Sequence, residues 1–495
     1  MIDRDVGRAT AEPHDLIVVG GGIYGACLAM ESARRGLRPL LIERDDFGGG
    51  TSWNSLRIVH GGLRYLQSLD LRRFRESVAE RRWFCRTYPE LVEPIECLMP
   101  LHGIGLKRPS AFRVALAVND LLSRNRNVGV RADRRLGPGR VLDVAATVAR
   151  FPDVDRDGLK GGALWYDAAM TSSVRILMET LRWACANGAS ALNYVECVEL
   201  EREGDRVVGV EAVERMSGER VTLRAPVVVG SAGPWGRALS RRVDRDVEEL
   251  FRPSLAFNLL LERPPLSEAT LAVTARNPAS RTYFLRPAGN RILAGTFHAP
   301  CDGYPARAQP TDEQRAHFLS DLNRAVPALE LTPASIVRVY SGVLPASRPG
   351  TEELAAREVI HDHGASGGPS GLWSVSGVKY TTARLVAERT LRRVFGPSGR
   401  DLRVLAGSER PASVAGLSAD DPSVLAASPS PEVAHAVKAV VEGEAVTCME
   451  DLLLRRTDWG TDPARAPELA ARVTKLLGYA LPAQPACGHG VGASA

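Results

Sequence analysis

The chain has 495 residues, 44% of them apolar and 24% charged, and a formal net charge of +5. That length calls for two or three domains around separate cores. No apolar run reaches the roughly eighteen residues of a bilayer-crossing helix, residues 1–12 lack the apolar core of a secretory signal, and no nucleic-acid-binding signature accompanies the mild positive charge.

The first predicted elements stand close together. An apolar run, Asp15-Leu16-Ile17-Val18-Val19, breaks into Gly20-Gly21-Gly22-Ile23-Tyr24-Gly25 and an alanine-rich helical segment ending at Gly36. A second strand, Pro39-Leu40-Leu41-Ile42, then delivers Glu43. Strand, glycine turn, helix and strand make a βαβ unit with dinucleotide-binding spacing. Gly20 allows the tight turn, Gly22 lets the backbone approach a pyrophosphate, and Gly25 lets the helix pack on the strand. The helix N-terminus supplies free N–H groups. The Glu43 carboxylate accepts hydrogen bonds from ribose hydroxyls and would repel a 2′-phosphate. A βα unit that binds nothing is the competing reading.

Thr51-Ser52 follows, then Arg57-Ile58-Val59-His60-Gly61-Gly62-Leu63-Arg64-Tyr65-Leu66. Two basic segments, Leu71 to Trp83 and Leu106 to Arg126, fit loose attachment to an anionic membrane surface, although solvated helix faces are the plainer account. Helical periodicity resumes over 173–187, strand patterns run over 190–200 and 206–210, and a hairpin partner spans 220–229. Residues 251–340 are rich in strand patterns, and residues 381–394 read as helix. The Ser/Ala/Pro/Asp-rich stretch 408–431 reads as a linker, residues 432–477 as helices, and the Gly/Ala/Pro-rich tail 482–495 as disordered. Eight cysteines without a C-x-x-C pair speak for buried free thiols in a reduced compartment. His361 and His363 share one face of an extended segment, but no cysteine or carboxylate cluster accompanies them, so no metal site is expected.

Four further stretches complete a pattern: Val227 to Trp235, Arg291 to Thr296, Ser374 to Thr382, and Met449-Glu450-Asp451-Leu452-Leu453-Leu454-Arg455-Arg456-Thr457. With the two N-terminal signals they resemble the FAD-dependent glycerol-3-phosphate dehydrogenases, a branch of the D-amino-acid-oxidase-like flavoproteins. Arg57 stands where that family usually has lysine, and Gln67 where it has glutamate. The resemblance implies an α/β fold, with a Rossmann-type FAD-binding domain, a β-rich substrate domain and a C-terminal helical domain. The expected boundaries are 13–105, 161–250 and 341–400 for the FAD-binding parts. An insertion or membrane-facing helices would occupy 106–160, the substrate domain 251–340, and the helical domain 432–480.

The implied activity is oxidation of the secondary alcohol of glycerol 3-phosphate, or a related polyol phosphate, to a ketone by hydride transfer to flavin N5. Electrons would pass to a quinone or similar acceptor, in the cytoplasm or against the inner face of the cell membrane. FAD would be held by Gly20, Gly22, Gly25, Glu43, Thr51, Ser52, His60, Gly61, Gly233, Gly377, Lys379 and Thr381. Arg64, Tyr65 and Arg357 match substrate-binding residues, and Arg64 and Lys379 also enter the reaction.

Two positions depart from the family. Leu344 replaces the arginine of a G-V-R-P motif, and Asn258 replaces a histidine that would act as base. Asn258 is kept as a catalytic position that can hydrogen-bond an alcohol but not take its proton, and Arg348, His298 and His60 are the candidates to substitute for the missing groups. The departures keep two other readings open: a relative acting on another hydroxy compound or an amine, and an inactive flavin-binding interaction protein.

Overall fold

The computed structural model describes residues 1–103, 108–243, 246–275, 281–301, 303, 308–397 and 429–483. Most of the expected linker, 408–428, and nearly all of the expected tail, 484–495, lie outside the described residues.

The strands in chain order are β1 (Leu16–Val19), β2 (Pro39–Ile42), β3 (Ile58–Val59), β4 (Val92–Leu101), β5 (Arg140–Leu142), β6 (Gly161–Met170), β7 (Ser190–Leu192), β8 (Val195–Glu203), β9 (Arg206–Glu214), β10 (Arg220–Arg224), β11 (Val228–Gly230), β12 (Pro253–Leu261), β13 (Thr270–Thr274), β14 (Thr282–Ala288), β15 (Arg291–Pro300), β16 (Ile336–Pro345), β17 (Val359–Asp362) and β18 (Leu372–Ser376). Six form a sheet in the order β17-β18-β11-β1-β2-β7, parallel except where β17 joins β18.

Alternate residues of β1 serve opposite layers. Leu16 and Val18 face the helices Ile23–Arg34, Ser173–Ala186 and Ala383–Phe395. Ile17 faces the small sheet β10-β9-β8. A sheet covered on both faces needs unbroken apolar strands, which is why β1 and β2 carry no polar alternation.

The nine-stranded sheet runs β16-β12-β15-β14-β13-β4-β6-β3, with β5 paired to β6. One face packs on the helix Asp312–Ala325, whose Phe318 sits among Phe257, Tyr283 and Phe297. This sheet draws on more of the chain than residues 251–340. β3, β4, β6 and the end of β16 fall within stretches expected to serve the nucleotide fold, yet their ladders are with this sheet. The expected single strand 190–200 is interrupted at Asn193 and Tyr194, where Tyr194 adopts φ +55°. The Tyr194 hydroxyl is drawn 2.6 Å from Asp451, and the Asn193 amide 2.9 Å from Asp46, so the chain leaves one sheet and enters the next.

Candidate active site

The glycine turn after β1 is built for close approach. Gly20 has φ +110°, and a Cβ there would stand 2.8 Å from the Ser231 carbonyl oxygen. A Cβ on Gly25 would stand 1.9 Å from the Gly20 carbonyl oxygen, so the helix Ile23–Arg34 sits hard against the turn. Gly22 caps that helix without a side chain, while Ser52 Oγ accepts from the Ile23 N–H at 2.9 Å. Glu43 receives the Gly21 N–H at 2.6 Å and the Asp45 N–H at 2.9 Å. Burial pushes its pKa up, and the two backbone donors pull it back only in part. Free N–H groups at a helix end, glycines that no side chain can replace, and a carboxylate at the second strand fit the pyrophosphate and ribose of a dinucleotide. Gly233 closes the opposite side with φ +55°, and the Arg44 guanidinium lies 4.2 Å over the Trp235 ring.

The loop beyond Glu43 carries this site onto the large sheet. Thr51 Oγ1 donates to the Val343 carbonyl at 3.1 Å, and a Cβ on Gly342 would meet Thr51 at 2.8 Å. Gly342, Ala256 and His298 are cross-strand partners on one row, so all three share the face that the loop touches. Leu344, two residues on from Gly342, lies on that face too and presents an apolar side chain.

Lys379 follows the end of β18 and is held by two tyrosines. Tyr24 Oη donates to the Lys379 carbonyl at 2.7 Å, and the Lys379 N–H donates to Tyr24 Oη at 3.2 Å. A Cβ on Gly377 would run into the Tyr24 ring. The Lys379 ammonium donates to the Tyr65 hydroxyl and lies 4.1 Å from the Tyr65 ring centre. Burial, then the charge of exposed Arg64, lowers the Lys379 pKa to about 8. Burial, then the charges of Arg281 and Arg64, lowers the His298 pKa to about 4, so its imidazole is neutral at neutral pH. His298 Nδ1 is buried without a hydrogen-bond partner among the described residues. Arg64 is thus close enough for its charge to act on both Lys379 and His298.

Asn258 is otherwise engaged. Its amide donates to the Asn54 carbonyl at 3.1 Å and accepts from the Thr296 hydroxyl at 2.8 Å, tying the cofactor loop to β15. It acts as a strut rather than a proton acceptor.

His60 is half-exposed, with Nδ1 3.2 Å from Asp167 and its ring 5.0 Å from Phe284. Asp167 also accepts from the Gly61 N–H at 2.7 Å and from Arg81. Burial pushes its carboxyl up, but the His60 contact, the Arg81 charge and the Gly61 N–H more than reverse this, leaving its pKa below the ordinary value. Thr381 is half-buried in the turn after Lys379.

Two more arginines are expected from the sequence to meet the substrate, Arg357 and Arg348. Both are exposed on the segment after β16. Arg357 lies near Asp70, and Arg348 makes no hydrogen bond or ion pair among the described residues.

Sequence reasoning passes over Tyr24, Asp167 and Arg81. Asp167 does leave a trace, as the one acid in the otherwise apolar and aromatic run Gly161–Met170.

The family described as FAD dependent oxidoreductase matches residues 15–391. A glycerol-3-phosphate dehydrogenase of Synechocystis is 31% identical, over 77% of this chain and 70% of that protein. An aerobic glycerol-3-phosphate dehydrogenase of Staphylococcus epidermidis is 29% identical, over 76% of this chain and 65% of its own length. The chain thus spans about two thirds of these relatives. The fold is shared with the FAD complex of a Bacillus halodurans glycerol-3-phosphate dehydrogenase, at TM-score 0.70 and 21% identity, covering 96% of this chain and 92% of that one.

Proposed function

Because this chain belongs to the family of FAD dependent oxidoreductases, we propose that it oxidises the secondary alcohol of glycerol 3-phosphate, or of a close polyol phosphate, to the ketone. The observation that carries this reading is that the sheet face holding His298 is the face the FAD-binding loop touches through Thr51 and Gly342, with Arg64 near enough to lower the pKa of both His298 and Lys379. Oxidising an alcohol requires a group to take the hydroxyl proton and a means of fixing the carbon in place.

The Arg64 guanidinium offers a fork of donors to a phosphate, and the Lys379 ammonium adds a second charge. Tyr24 holds the lysine backbone, and Tyr65 holds its ammonium. His298 Nδ1 accepts the hydroxyl proton; as neutral imidazole it has the capacity that Asn258 lacks. Leu344 presents an apolar side chain on the sheet face that carries His298. Gly20, Gly22, Gly25, Glu43, Thr51 and Ser52 hold FAD, which when bound supplies the two-electron acceptor. A quinone is the proposed final acceptor.

A contact with anionic lipid accompanies this reading. The helix Pro109–Leu122 exposes Val114 at 64% and Leu121 at 66%, between the exposed Arg113 and Arg124. It packs near the helix Leu63–Gln67 that carries Arg64, beyond which Leu69 is 82% exposed. An apolar face flanked by arginines suits an interfacial helix. Sedimentation with phosphatidylglycerol vesicles, reduced by Val114→Glu with Leu121→Glu, tests it; equal sedimentation of both proteins excludes it.

Steady-state turnover with an artificial electron acceptor tests the substrate. Polyol phosphates are expected to be oxidised in preference to glycerol, hydroxy acids and amines. An amine oxidised faster than any phosphate would refute the proposal.

A further inference from the structure

The loop between β2 and β3 carries Glu43, Thr51 and Ser52, yet it contains neither helix nor strand. Its own turns, such as the Trp53 N–H to the Gly48 carbonyl and the Asn54 N–H to the Thr51 carbonyl, both 3.1 Å, are supplemented by two grips from outside. Asp46, three residues beyond Glu43, is buried and fully engaged. It accepts from Arg455 Nε at 2.7 Å, from the two terminal nitrogens of Arg456 at 2.7 and 2.8 Å, and from the Asn193 amide at 2.9 Å. At the other end of the loop, Arg57 has φ +61° and makes a two-pronged pair with Asp458, both contacts at 2.9 Å.

Both grips come from one short stretch, the π-helical turn Asp451–Arg456 and the residues just after it. The same stretch is itself anchored. Arg175 pairs with Glu444 at 2.7 and 2.8 Å, Arg291 with Asp462 at 2.6 Å, and Arg338 donates to the Gly460 carbonyl at 2.6 Å. Arg455 also reaches Asp451 at 3.0 Å, so the cluster balances its buried charges.

We propose that residues 444–462 form a positioning strap for the FAD-binding loop, gripping it at Asp46 and Arg57 so that Glu43, Thr51 and Ser52 keep their cofactor-facing geometry. Arg455, Arg456 and Asp458 are then positioning residues that touch neither cofactor nor substrate. The coupling runs both ways, because a strap that tightens FAD binding must itself be tightened by FAD.

The experiment measures FAD release from the purified holoenzyme by recovery of free-flavin fluorescence, well below the unfolding temperature. Asp458→Asn keeps the shape of the side chain but weakens the grip on Arg57. Release should quicken roughly threefold to thirtyfold. Asp462→Asn loosens one of the strap's three anchors, at β15 and away from the loop, and should quicken release by less than Asp458→Asn does. Exchanging the pair, Arg57→Asp with Asp458→Arg, should return release toward the native rate, since aspartate tolerates the left-handed backbone at position 57. Native release from Asp458→Asn, or equal acceleration by Asp462→Asn, overturns the proposal. A second measurement needs no variant: hydrogen exchange of the native chain with and without bound FAD. Faster exchange across 451–458 on FAD removal supports the strap, and unchanged exchange there overturns it.

Discussion

Tyr24 and Lys379 exchange hydrogen bonds across 355 residues of sequence, the tyrosine hydroxyl giving to the lysine carbonyl at 2.7 Å and receiving its N–H at 3.2 Å. The helix that opens the nucleotide site thus also fixes the lysine proposed to face the substrate. Tyr24→Phe leaves the Lys379 N–H without its acceptor, while the carbonyl keeps the Thr382 N–H and hydroxyl, both at 3.3 Å; the orphaned donor costs about 1–3 kcal/mol. FAD content should stay near native while KM for the phosphorylated substrate rises. Flavin absorbance and steady-state kinetics on the same sample check this.

Arg64 is exposed, its guanidinium 5.8 Å from the Tyr65 ring centre, so its loss should disturb folding little. Arg64→Ala is expected to raise KM by one to two decades, the roughly 1.5–3 kcal/mol of a charge-assisted contact. Unchanged kinetics would move the anion site elsewhere.

His298 and Asn258 should separate by phenotype. His298→Ala is expected to lower kcat by about 10²- to 10⁴-fold, the usual worth of a general base, with thermal stability nearly native. Asn258→Ala breaks the link between the Asn54 carbonyl and the Thr296 hydroxyl. It should cost about 1–3 kcal/mol of stability and reduce turnover chiefly through the displaced loop. Thermal melts and kcat of the two variants decide.

The site gives a signed pH dependence. His298 is neutral above about pH 4 and Lys379 charged below about pH 8, so turnover of an anionic substrate should hold between these limits and fall above the upper one. Stability follows the same groups. The unfolded chain protonates His298 near its ordinary 6.5 and the folded chain only near 4, so the unfolded state binds more protons between them, and stability rises with pH across that window. Melting temperatures from pH 4 to 7 should show this slope in the native protein and less of it in His298→Ala.

How much of this is legible beforehand depends on the range of the contacts. The βαβ unit is readable because β1 and β2 are apolar without alternation and the glycines fall at fixed offsets between them. Arg64, Tyr65 and Lys379 are readable from their motifs. The nine-stranded sheet is not, because β3, β4 and β6 join it through distant ladders that no local periodicity announces. Nor is the Asp46–Arg456 grip, whose partners are 410 residues apart and look like ordinary surface charges in the sequence. Tyr24 occupies a variable position of the glycine motif, so its support of Lys379 shows only when β18 is placed beside β11. Asn258 reads as a lost catalytic residue until the bonds to Asn54 and Thr296 show what it holds.

The most direct measurement is anaerobic bleaching of the bound flavin by sn-glycerol 3-phosphate in a stopped-flow instrument, comparing native protein with His298→Ala at equal FAD content. Saturable loss of the flavin absorbance band is predicted for the native protein, slowed at least about a hundredfold in the variant while half-saturation stays nearly constant. A native flavin left oxidised by every polyol phosphate, or bleached as fast without His298, would contradict the account.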